Sequence, residues 1–348
     1  RPGIMLAGAM RAYANRWATA VGDRIAIFAN NDDAHRTAHD LHQLGVEIAV
    51  VIDSRPEAPA SDNFEVLAAS EVVNTHGRMG LNSIDVKTSQ GLRQIQVSGL
   101  GVSGGWNPNI HLTCHQRGRP EWDAVLSAFV PSADLPKALH VAGAANGQMT
   151  TAAAIQDAVT SAMKITEDYG RKPSSLSIPK TSDESASITP FWYVTGTERG
   201  WVDQQNDVTV KDIQLAHQEN FRSVEHLKRY TTLGMATDQG KTSNVLGLAI
   251  MAHTAGQSIP DTGTTIYRPP YSPTAIGVFA GRSRDMDFRP IRKTPSHKWA
   301  EEQGAVFVEV GMWYRAQWFP RDGETHWRQS VDREVATTRA SVGVCDVT

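Results

Sequence analysis

Cysteine is scarce in this sequence of 348 residues, which contains only Cys114 and Cys345. Two cysteines so far apart predict no disulfide framework and indicate a reducing compartment, so we expect a cytoplasmic protein. Apolar runs are short, and none approaches the length of about 20 residues that spans a bilayer. Basic runs are missing too. The formal net charge of -3 gives no electrostatic reason to expect nucleic acid or an anionic membrane as a partner.

The ends of the chain lack the features of finished termini. The chain opens at Arg1-Pro2 with neither a methionine nor a signal-peptide pattern, and Cys345–Thr348 is an apolar, strand-like run. We interpret the sequence as part of a longer polypeptide. Its length suggests roughly two to three domains, each large enough to bury a core.

The clearest local pattern is an α/β unit near the start of the chain. Arg24–Phe28 reads as a short buried strand, and a helix is predicted over Asp33–Leu44. Gly45 closes that helix, and Val46–Ile52 forms a second buried strand that ends at Asp53. This order predicts a right-handed βαβ unit of a parallel sheet.

The turn of this unit contains none of the glycines of a dinucleotide fingerprint. The six positions are Ala29–Ala34, where G-x-G-x-x-G would otherwise lie. Asp32 and Asp33 would repel a pyrophosphate at the helix N-terminus. Asp53 lies where a ribose-binding carboxylate would be expected, but without the glycines we interpret the unit as architecture that has lost its nucleotide.

A better nucleotide candidate lies later in the same predicted domain. Leu139–Gly143 is predicted to be a strand that runs into a glycine-rich turn and a helix over 150–165. Backbone amides near Gly143, Ala144 and Gly147 could donate to a phosphate or a ribose. The alternative is a tight strand-to-helix turn that simply needs small residues.

Three histidines recur at helical spacing within the first helix. His35, His39 and His42 run beside its apolar stripe, and no cysteine or carboxylate joins them at the spacing of a closed metal site. We expect a solvated helix edge and no bound metal.

Four regions follow from composition and pattern. Residues 1–170 form a dinucleotide-binding-type domain, whose stretch 66–103 alternates polar and apolar residues as in antiparallel strands. Residues 171–190, rich in serine and proline, form a linker. A small helical domain spans 191–265, and the aromatic-rich stretch 266–348 begins a further domain, for which the resemblance described below implies an α+β fold.

The helical domain contains the most distinctive stretch, Arg229–Lys241. Thr209 and Ser223 are predicted to cap helices over 210–219 and 224–232 that lead into it. The stretch combines an arginine, hydroxyls, an amide, glycines and a lysine, the chemistry of a phosphate cradle. The spacing is not that of a P-loop. The alternative is a helix end closed at Gly234 with surface charges after it.

Together these pieces resemble the alpha subunits of heterotetrameric sarcosine oxidases over essentially the whole chain. The stretches that carry the resemblance are Arg1–Met10, Phe28–Asp32, Gly105–Asn109, Ala142–Gly147, Phe221–Lys241, Arg268–Tyr271 and Arg292–His297 with Trp299. The last of these look like the entry to an aminomethyltransferase-like folate domain, and Glu334–Asp346 looks like the first helix and strand of that domain.

The resemblance implies a flavoprotein assembly with beta, gamma and delta subunits. Such assemblies oxidise sarcosine with oxygen to glycine and hydrogen peroxide, and pass a one-carbon unit to tetrahydrofolate as 5,10-methylenetetrahydrofolate. The amine is oxidised at FAD in the beta subunit. FMN lies between alpha and beta, and alpha also binds NAD. No residue of this chain is assigned as an acid, base or nucleophile, since flavin chemistry belongs to the cofactor.

The resemblance also implies residues for each cofactor. The FMN phosphate and ribityl chain would be contacted by Arg229, Thr231, Thr232, Gln239 and Lys241. NAD would rest against Gly143, Ala144, Asn146 and Gly147. The main glycine fingerprint for NAD would lie upstream of Arg1.

One departure concerns iron. The stretch 204–243 also looks like a small [2Fe–2S] domain, but the matching ligand positions are Gln204, Asn206, Asp238 and Ser243. A cluster held by cysteine thiolates is therefore excluded. Two alternatives remain open at this point: the alpha subunit of a related amine or opine dehydrogenase, and a non-catalytic scaffold subunit.

Overall fold

The computed structural model describes residues 1–174, 176–182, 184–196, 199–287 and 289–344. The chain separates into two compact units, Arg1–Pro273 and Thr274–Thr348. The predicted strand-like run Cys345–Thr348 lies outside the described residues. The predicted boundaries of the linker 171–190 and of the domain starting at 266 stay predictions.

The first unit combines strands and helices in α/β order. Its strands are β1 (Ile4–Leu6), β2 (Arg24–Ala29), β3 (Glu47–Asp53), β4 (Val66–Leu67), β5 (Glu71–His76), β6 (Ser83–Thr88), β7 (Gly91–Gln96), β8 (Gly99–Ser103), β9 (Glu121–Asp123), β10 (Ala128–Val130), β11 (Trp201–Asp203) and β12 (Val208–Thr209). Its helices are α1 (Ala7–Trp17), α2 (Asp32–Gln43), α3 (His111–His115), α4 (Thr151–Asp168), α5 (Val210–Gln218), α6 (Val224–Thr231), α7 (Asn244–Ala255) and α8 (Ile259–Thr262), with a 3-10 turn at Gly143–Asn146.

A parallel sheet with strand order β1-β8-β2-β3-β4 forms the centre of this unit. Successive side chains of a strand point to opposite faces of its sheet. On β2, Ile25 and Ile27 pack with Met10 of α1 and Leu41 of α2, while Ala26 belongs to the core on the other face. Because both faces are covered, β2 and β3 are almost continuously apolar.

An antiparallel sheet of order β5-β6-β7 covers the second face. Ile84 and Val86 of β6 are fully buried and share a core with Val50 and Ile52 of β3. This confirms the predicted fold class, a parallel sheet with an antiparallel insert.

The predicted βαβ unit is confirmed. β2 and β3 pair in parallel, and α2 begins after Asn31, whose side chain accepts a hydrogen bond from the Ala34 amide at 3.2 Å. Gly45 has a φ of +87°, the left-handed conformation in which glycine is the usual residue after a helix.

The predicted strand at Leu139–Gly143 is wrong. Residues 139–142 belong to no strand, and the Leu139 amide turns back to the Pro136 carbonyl at 3.0 Å. A strand forms only where a neighbouring backbone takes up its hydrogen bonds, and no described residue does so here. The helix predicted over 150–165 is confirmed, because α4 spans Thr151–Asp168.

The helical region ends the first unit. Thr209 forms a capping box with Asp212 at the start of α5, and Ser223 accepts a hydrogen bond from the His226 amide at the start of α6. Both predicted caps are confirmed. The helices pack around a core that includes Ile213, Leu227, Leu233, Ile250 and Met251.

The second unit is a small α+β arrangement. Its elements are β13 (Arg292–Lys293), β14 (Val306–Val310), β15 (Trp313–Trp318), α9 (His297–Glu302) and α10 (Trp327–Ala340). The strand order is β13-β15-β14, and His297 packs against Phe307 with ring centroids 4.4 Å apart. The predicted helix within Glu334–Asp346 is the C-terminal part of α10, while positions 345 and 346 lie outside the described residues.

Each helix in the described residues is too short or too polar to cross a membrane.

Candidate functional site

The turn between β2 and α2 is occupied by a distant part of the chain. Residues 184–189, here named the covering segment, run across the N-terminus of α2. The Asp32 amide donates to the Ser187 carbonyl at 3.1 Å, and the Thr189 amide donates to the Asn30 carbonyl at 3.0 Å. A helix N-terminus binds anions through its free N–H groups. The covering segment therefore takes up part of the binding capacity that a nucleotide would need.

The carboxylate of Asp53 is enclosed by its own cluster of side chains. It is fully buried, with His35 Nε2 at 2.7 Å and Arg55 Nη2 at 2.8 Å from its Oδ2. Burial alone would raise the pKa of Asp53, but the hydrogen bonds from His35 and Arg55 outweigh burial and lower it. Arg55 also donates to Asp32 at 2.7 Å. The carboxylate considered for ribose binding therefore bonds to His35 and Arg55 of the same chain.

His35 corrects the expectation of a solvated histidine edge. His39 is half-buried and His42 is exposed, but His35 is only 6% exposed. It lies next to the apolar stripe of α2 and reaches Asp53 at the end of β3, a contact that helical spacing does not reveal. Within the described residues, no group of three or more His, Cys, Asp or Glu side chains could hold a metal ion.

Glu184 of the covering segment joins two helices. Its carboxylate accepts hydrogen bonds from the Thr151 amide at 2.5 Å and the Thr151 hydroxyl at 2.7 Å, at the start of α4. It also pairs with Arg36 of α2 at 2.6 Å. The hydrogen bonds from Thr151 lower the pKa of Glu184. The chain itself therefore supplies the anion that the N-terminus of α4 favours.

The residues predicted to contact NAD lie together on the 3-10 turn before α4. Gly143 and Gly147 have φ values of +68° and +80°. The Gly143 amide and the Asn146 side chain both donate to Asp157 Oδ2, at 2.8 and 3.2 Å. The Gly147 amide donates to the Ala144 carbonyl at 3.1 Å. Two of the predicted donors are thus already bonded to a carboxylate.

The predicted phosphate cradle starts at the end of α6. Arg229 is exposed on this helix. The Thr231 hydroxyl donates to the Leu227 carbonyl at 2.8 Å and accepts from the Leu233 amide at 3.2 Å. Thr232 ends the helix with a φ of +62° and bonds the Thr231 carbonyl. Both threonines therefore bond to nearby backbone and shape the helix end.

The glycines of the cradle fold around one asparagine. Gly234 and Gly240 have φ values of +66° and +71°, and a Cβ on either would lie 2.1 Å from Asn244 Oδ1. The side-chain amide of Asn244 donates to the Gln239 carbonyl at 3.0 Å. Close packing as well as backbone conformation therefore requires glycine at both positions.

Gln239 and Lys241 both bond to the segment Arg268–Tyr271. The Gln239 side chain donates through Nε2 to the carbonyls of Arg268 and Pro270 at 2.9 and 2.7 Å, and its Oε1 accepts from the Arg268 backbone amide at 3.1 Å. Lys241 Nζ donates to the Tyr271 carbonyl at 3.1 Å and lies 4.0 Å from the centre of the Tyr271 ring. The structure thus brings these two predicted residues together on one segment.

Two contacts of Tyr271 on this segment were not predicted from the sequence. His111 stacks on Tyr271 with ring centroids 3.9 Å apart and an interplanar angle of 3°. The Tyr271 hydroxyl donates to Asn109 Oδ1 at 3.2 Å. Burial, followed by the charges of His115 and Lys241, lowers the pKa of His111. Asn109 and Tyr271 lie in stretches that carried the family resemblance, but their spacing predicts no mutual contact.

Two stretches of the chain match known protein families. Residues 197–282 match the family described as Sarcosine oxidase A3 domain. This match includes the whole Arg229–Lys241 stretch and its contacts on Arg268–Tyr271. Residues 296–348 match the GCVT N-terminal domain, and they lie within the second compact unit.

Similar curated proteins extend the match to the whole chain. The sarcosine oxidase subunit alpha of Rhizobium meliloti (strain 1021) is 42% identical over 352 residues, covering 100% of this chain and 36% of that protein. The subunit of the same name from Corynebacterium sp. (strain P-1) is 37% identical over 376 residues, covering 100% of this chain and 38% of that protein. The chain thus spans little more than a third of the length of these relatives.

A solved structure supports the fold alone. The L-proline dehydrogenase from P. horikoshii aligns with a TM-score of 0.57 over 80% of this chain and 54% of that chain, at 16% sequence identity. A shared fold at this identity does not carry function with it. The sequence matches go further: over its whole length the chain is similar to sarcosine oxidase alpha subunits, and its residues 197–282 match the sarcosine oxidase A3 domain.

Proposed function

We propose that this chain acts within the alpha subunit of a sarcosine oxidase, a flavin-dependent oxidoreductase assembled with beta, gamma and delta subunits in the cytoplasm. The complex would oxidise sarcosine with oxygen to glycine and hydrogen peroxide, and pass the methyl carbon to tetrahydrofolate as 5,10-methylenetetrahydrofolate. The amine would be oxidised at FAD in the beta subunit. The proposal is supported by the identity to two alpha subunits over the whole chain.

The observation that carries the FMN part of the proposal is the joint contact of Gln239 and Lys241 with the segment Arg268–Tyr271. A lysine ammonium has three N–H donors, and the Tyr271 carbonyl takes one from Lys241. The remaining donors, together with the exposed guanidinium of Arg229, suit a phosphate group. The residues present therefore fit the phosphate end of FMN.

The other proposed FMN residues would position the surrounding backbone rather than bind the FMN phosphate themselves. Both polar atoms of the Gln239 side chain bond to the backbone of Arg268 and Pro270, so Gln239 would hold this segment beside the cofactor. Thr231 and Thr232 would fix the end of α6 next to the ribityl chain. When bound, FMN would supply electron transfer between the amine-oxidising flavin and oxygen.

For NAD, the geometry favours a hydroxyl contact over a phosphate contact. Gly143 and Asn146 already donate to Asp157 Oδ2, and the carboxylate would repel a phosphate. The same carboxylate can accept further hydrogen bonds, because it offers about four lone-pair sites. A ribose hydroxyl of NAD would therefore donate to Asp157, with Ala144 and Gly147 lining the turn.

The folate part of the proposal concerns the second unit. Its match to the GCVT N-terminal domain supports an aminomethyltransferase-like domain, in which tetrahydrofolate would be the co-substrate. No residue of this chain is assigned to the folate site.

The test is flavin release and mass identification on the full-length complex, with wild type compared to Lys241→Ala. The control is Lys211→Ala, because Lys211 is an exposed lysine of α5 outside the proposed site. We expect Lys241→Ala to lose FMN and keep FAD, and Lys211→Ala to keep both. Normal FMN content in Lys241→Ala would reject the proposed FMN site.

A further inference from the structure

A large cleft lies in the first unit, apart from the residues proposed for FMN and NAD. Its volume is about 980 Å³, near the upper end of the range of ligand pockets, about 300–1,000 Å³. It opens between the turn after α3, the hairpin β9–β10 and the stretch 263–269. The residues that the argument uses are Arg117, Arg119, Arg268, Trp122, Tyr267 and His115. We name it the arginine cleft.

Arginines outnumber carboxylates by one on its wall. Arg117, Arg119 and Arg268 line the cleft, together with Glu121 and Glu225. In the part of the chain that the structure describes, none of these arginines forms an ion pair with a carboxylate. Their guanidinium groups therefore keep their donors for an anion, which they can bind in a bidentate manner.

The turn that presents Arg117 has a defined conformation. Arg117 has a φ of +74°, which is uncommon for a residue other than glycine. Its amide donates to the Cys114 carbonyl at 3.1 Å, and the Gly118 amide donates to the Thr113 carbonyl at 3.0 Å. These backbone hydrogen bonds hold Arg117 at the cleft wall in a costly conformation.

An aromatic wall adjoins these arginines. Trp122 packs edge to face on Phe129 with centroids 5.1 Å apart, and Tyr267 lies beside them in the cleft. Burial raises the pKa of Tyr267 to about 12, so its hydroxyl stays neutral. Burial also raises the pKa of Cys114, which keeps that side chain an uncharged thiol.

His115 provides an independent sign of a polar ligand. Its Nε2 is buried and has no hydrogen-bond partner among the described residues, although the side chain lines the cleft. Leaving a buried polar atom without a partner is unfavourable. A ligand atom in the cleft would relieve this cost.

We propose that the arginine cleft binds a planar heteroaromatic molecule that carries a phosphate or carboxylate group. The guanidinium groups bind the anionic group, the aromatic wall packs against the ring, and His115 bonds a polar ring atom. This inference goes beyond the proposed function, since Arg117, Arg119 and His115 have no part in it; Arg268 enters the FMN proposal only through its backbone contacts with Gln239.

Calorimetric titration of the full-length protein tests the inference. The probes are AMP, FMN and folic acid, which represent a nucleotide, a flavin and a pterin. We expect one probe to bind. Arg119→Ala should lower the affinity for that probe by about tenfold to a hundredfold, because the substitution removes a charge-assisted contact. Arg282→Ala removes an exposed arginine of the second unit and should leave binding unchanged. The probe that responds identifies the source as nucleotide, flavin or pterin.

A second variant keeps the test independent of folding. Arg117→Gly removes the guanidinium but suits the φ of +74°, because glycine adopts this conformation without strain. Arg117→Gly should lower the affinity for the same probe as Arg119→Ala does. The inference is overturned if no probe binds the wild type, or if both variants bind every probe within twofold of wild type.

Discussion

Replacing Arg55 with methionine probes the buried cluster around Asp53. Arg55 is 6% exposed and Asp53 is fully buried. The guanidinium lies 2.8 Å from Asp53 and 2.7 Å from Asp32, and also donates to the Ser187 carbonyl of the covering segment. Arg55→Met removes all three contacts and leaves Asp53 with His35 and with the backbone amide of residue 55, which donates to Asp53 Oδ1 at 2.9 Å. Breaking a buried pair by removing one partner costs about 3–5 kcal/mol, a large share of a typical stability of about 5–15 kcal/mol.

The pH dependence of this cost has a defined sign. The pKa of Asp53 is lowered in the folded state, so its contribution is fully present above the unfolded pKa of about 3.9. It is lost as the pH falls through the lower folded value. In Arg55→Met the buried carboxylate loses its cation, so its pKa rises and protonation relieves the penalty. The stability difference between wild type and variant should therefore narrow from pH 7 to pH 4.

Urea unfolding at both pH values measures this difference. Arg24→Met is the matched control, because Arg24 pairs with Glu47 at 2.6 Å on the surface, with side chains 41% and 61% exposed. Such surface pairs contribute about 0–1 kcal/mol. A cost for Arg55→Met below about 1 kcal/mol, or one that is equal at pH 7 and pH 4, would refute the reasoning.

Two further predictions concern the glycine turn and the covering segment. Gly240→Ala should lower the free energy of unfolding in urea by about 2–3 kcal/mol, because alanine must adopt a left-handed φ and its Cβ displaces the Asn244 side chain. Gly45→Ala, with φ +87° and no atom within 4 Å of the added Cβ, should cost about 1 kcal/mol less; equal costs would contradict the packing argument. Glu184→Gln should speed hydrogen exchange of the Thr151 amide about tenfold, because a charged acceptor becomes neutral. Unchanged exchange would show that Glu184 does not hold the covering segment on α4.

Local patterns in the sequence determined much of the fold. The βαβ unit follows from two apolar runs separated by a helical stretch, with Gly45 ending the helix. The helices after Thr209 and Ser223 follow from residues that cap helices through their own side chains. These signals act within a few residues, so they do not depend on the rest of the chain. The missing glycines between β2 and α2 are also a local signal, and the turn without a nucleotide that they predict stays a prediction.

Only the tertiary structure decided what surrounds these elements. The strand predicted at 139–143 failed because strand formation needs a partner elsewhere in the chain. His35 looked like a surface residue until β3 placed Asp53 beside it. The covering segment meets the β2–α2 turn across 159 positions of sequence, as the hydrogen bonds between Asn30 and Thr189 show. Such contacts depend on the path of the whole chain, and no local spacing encodes them.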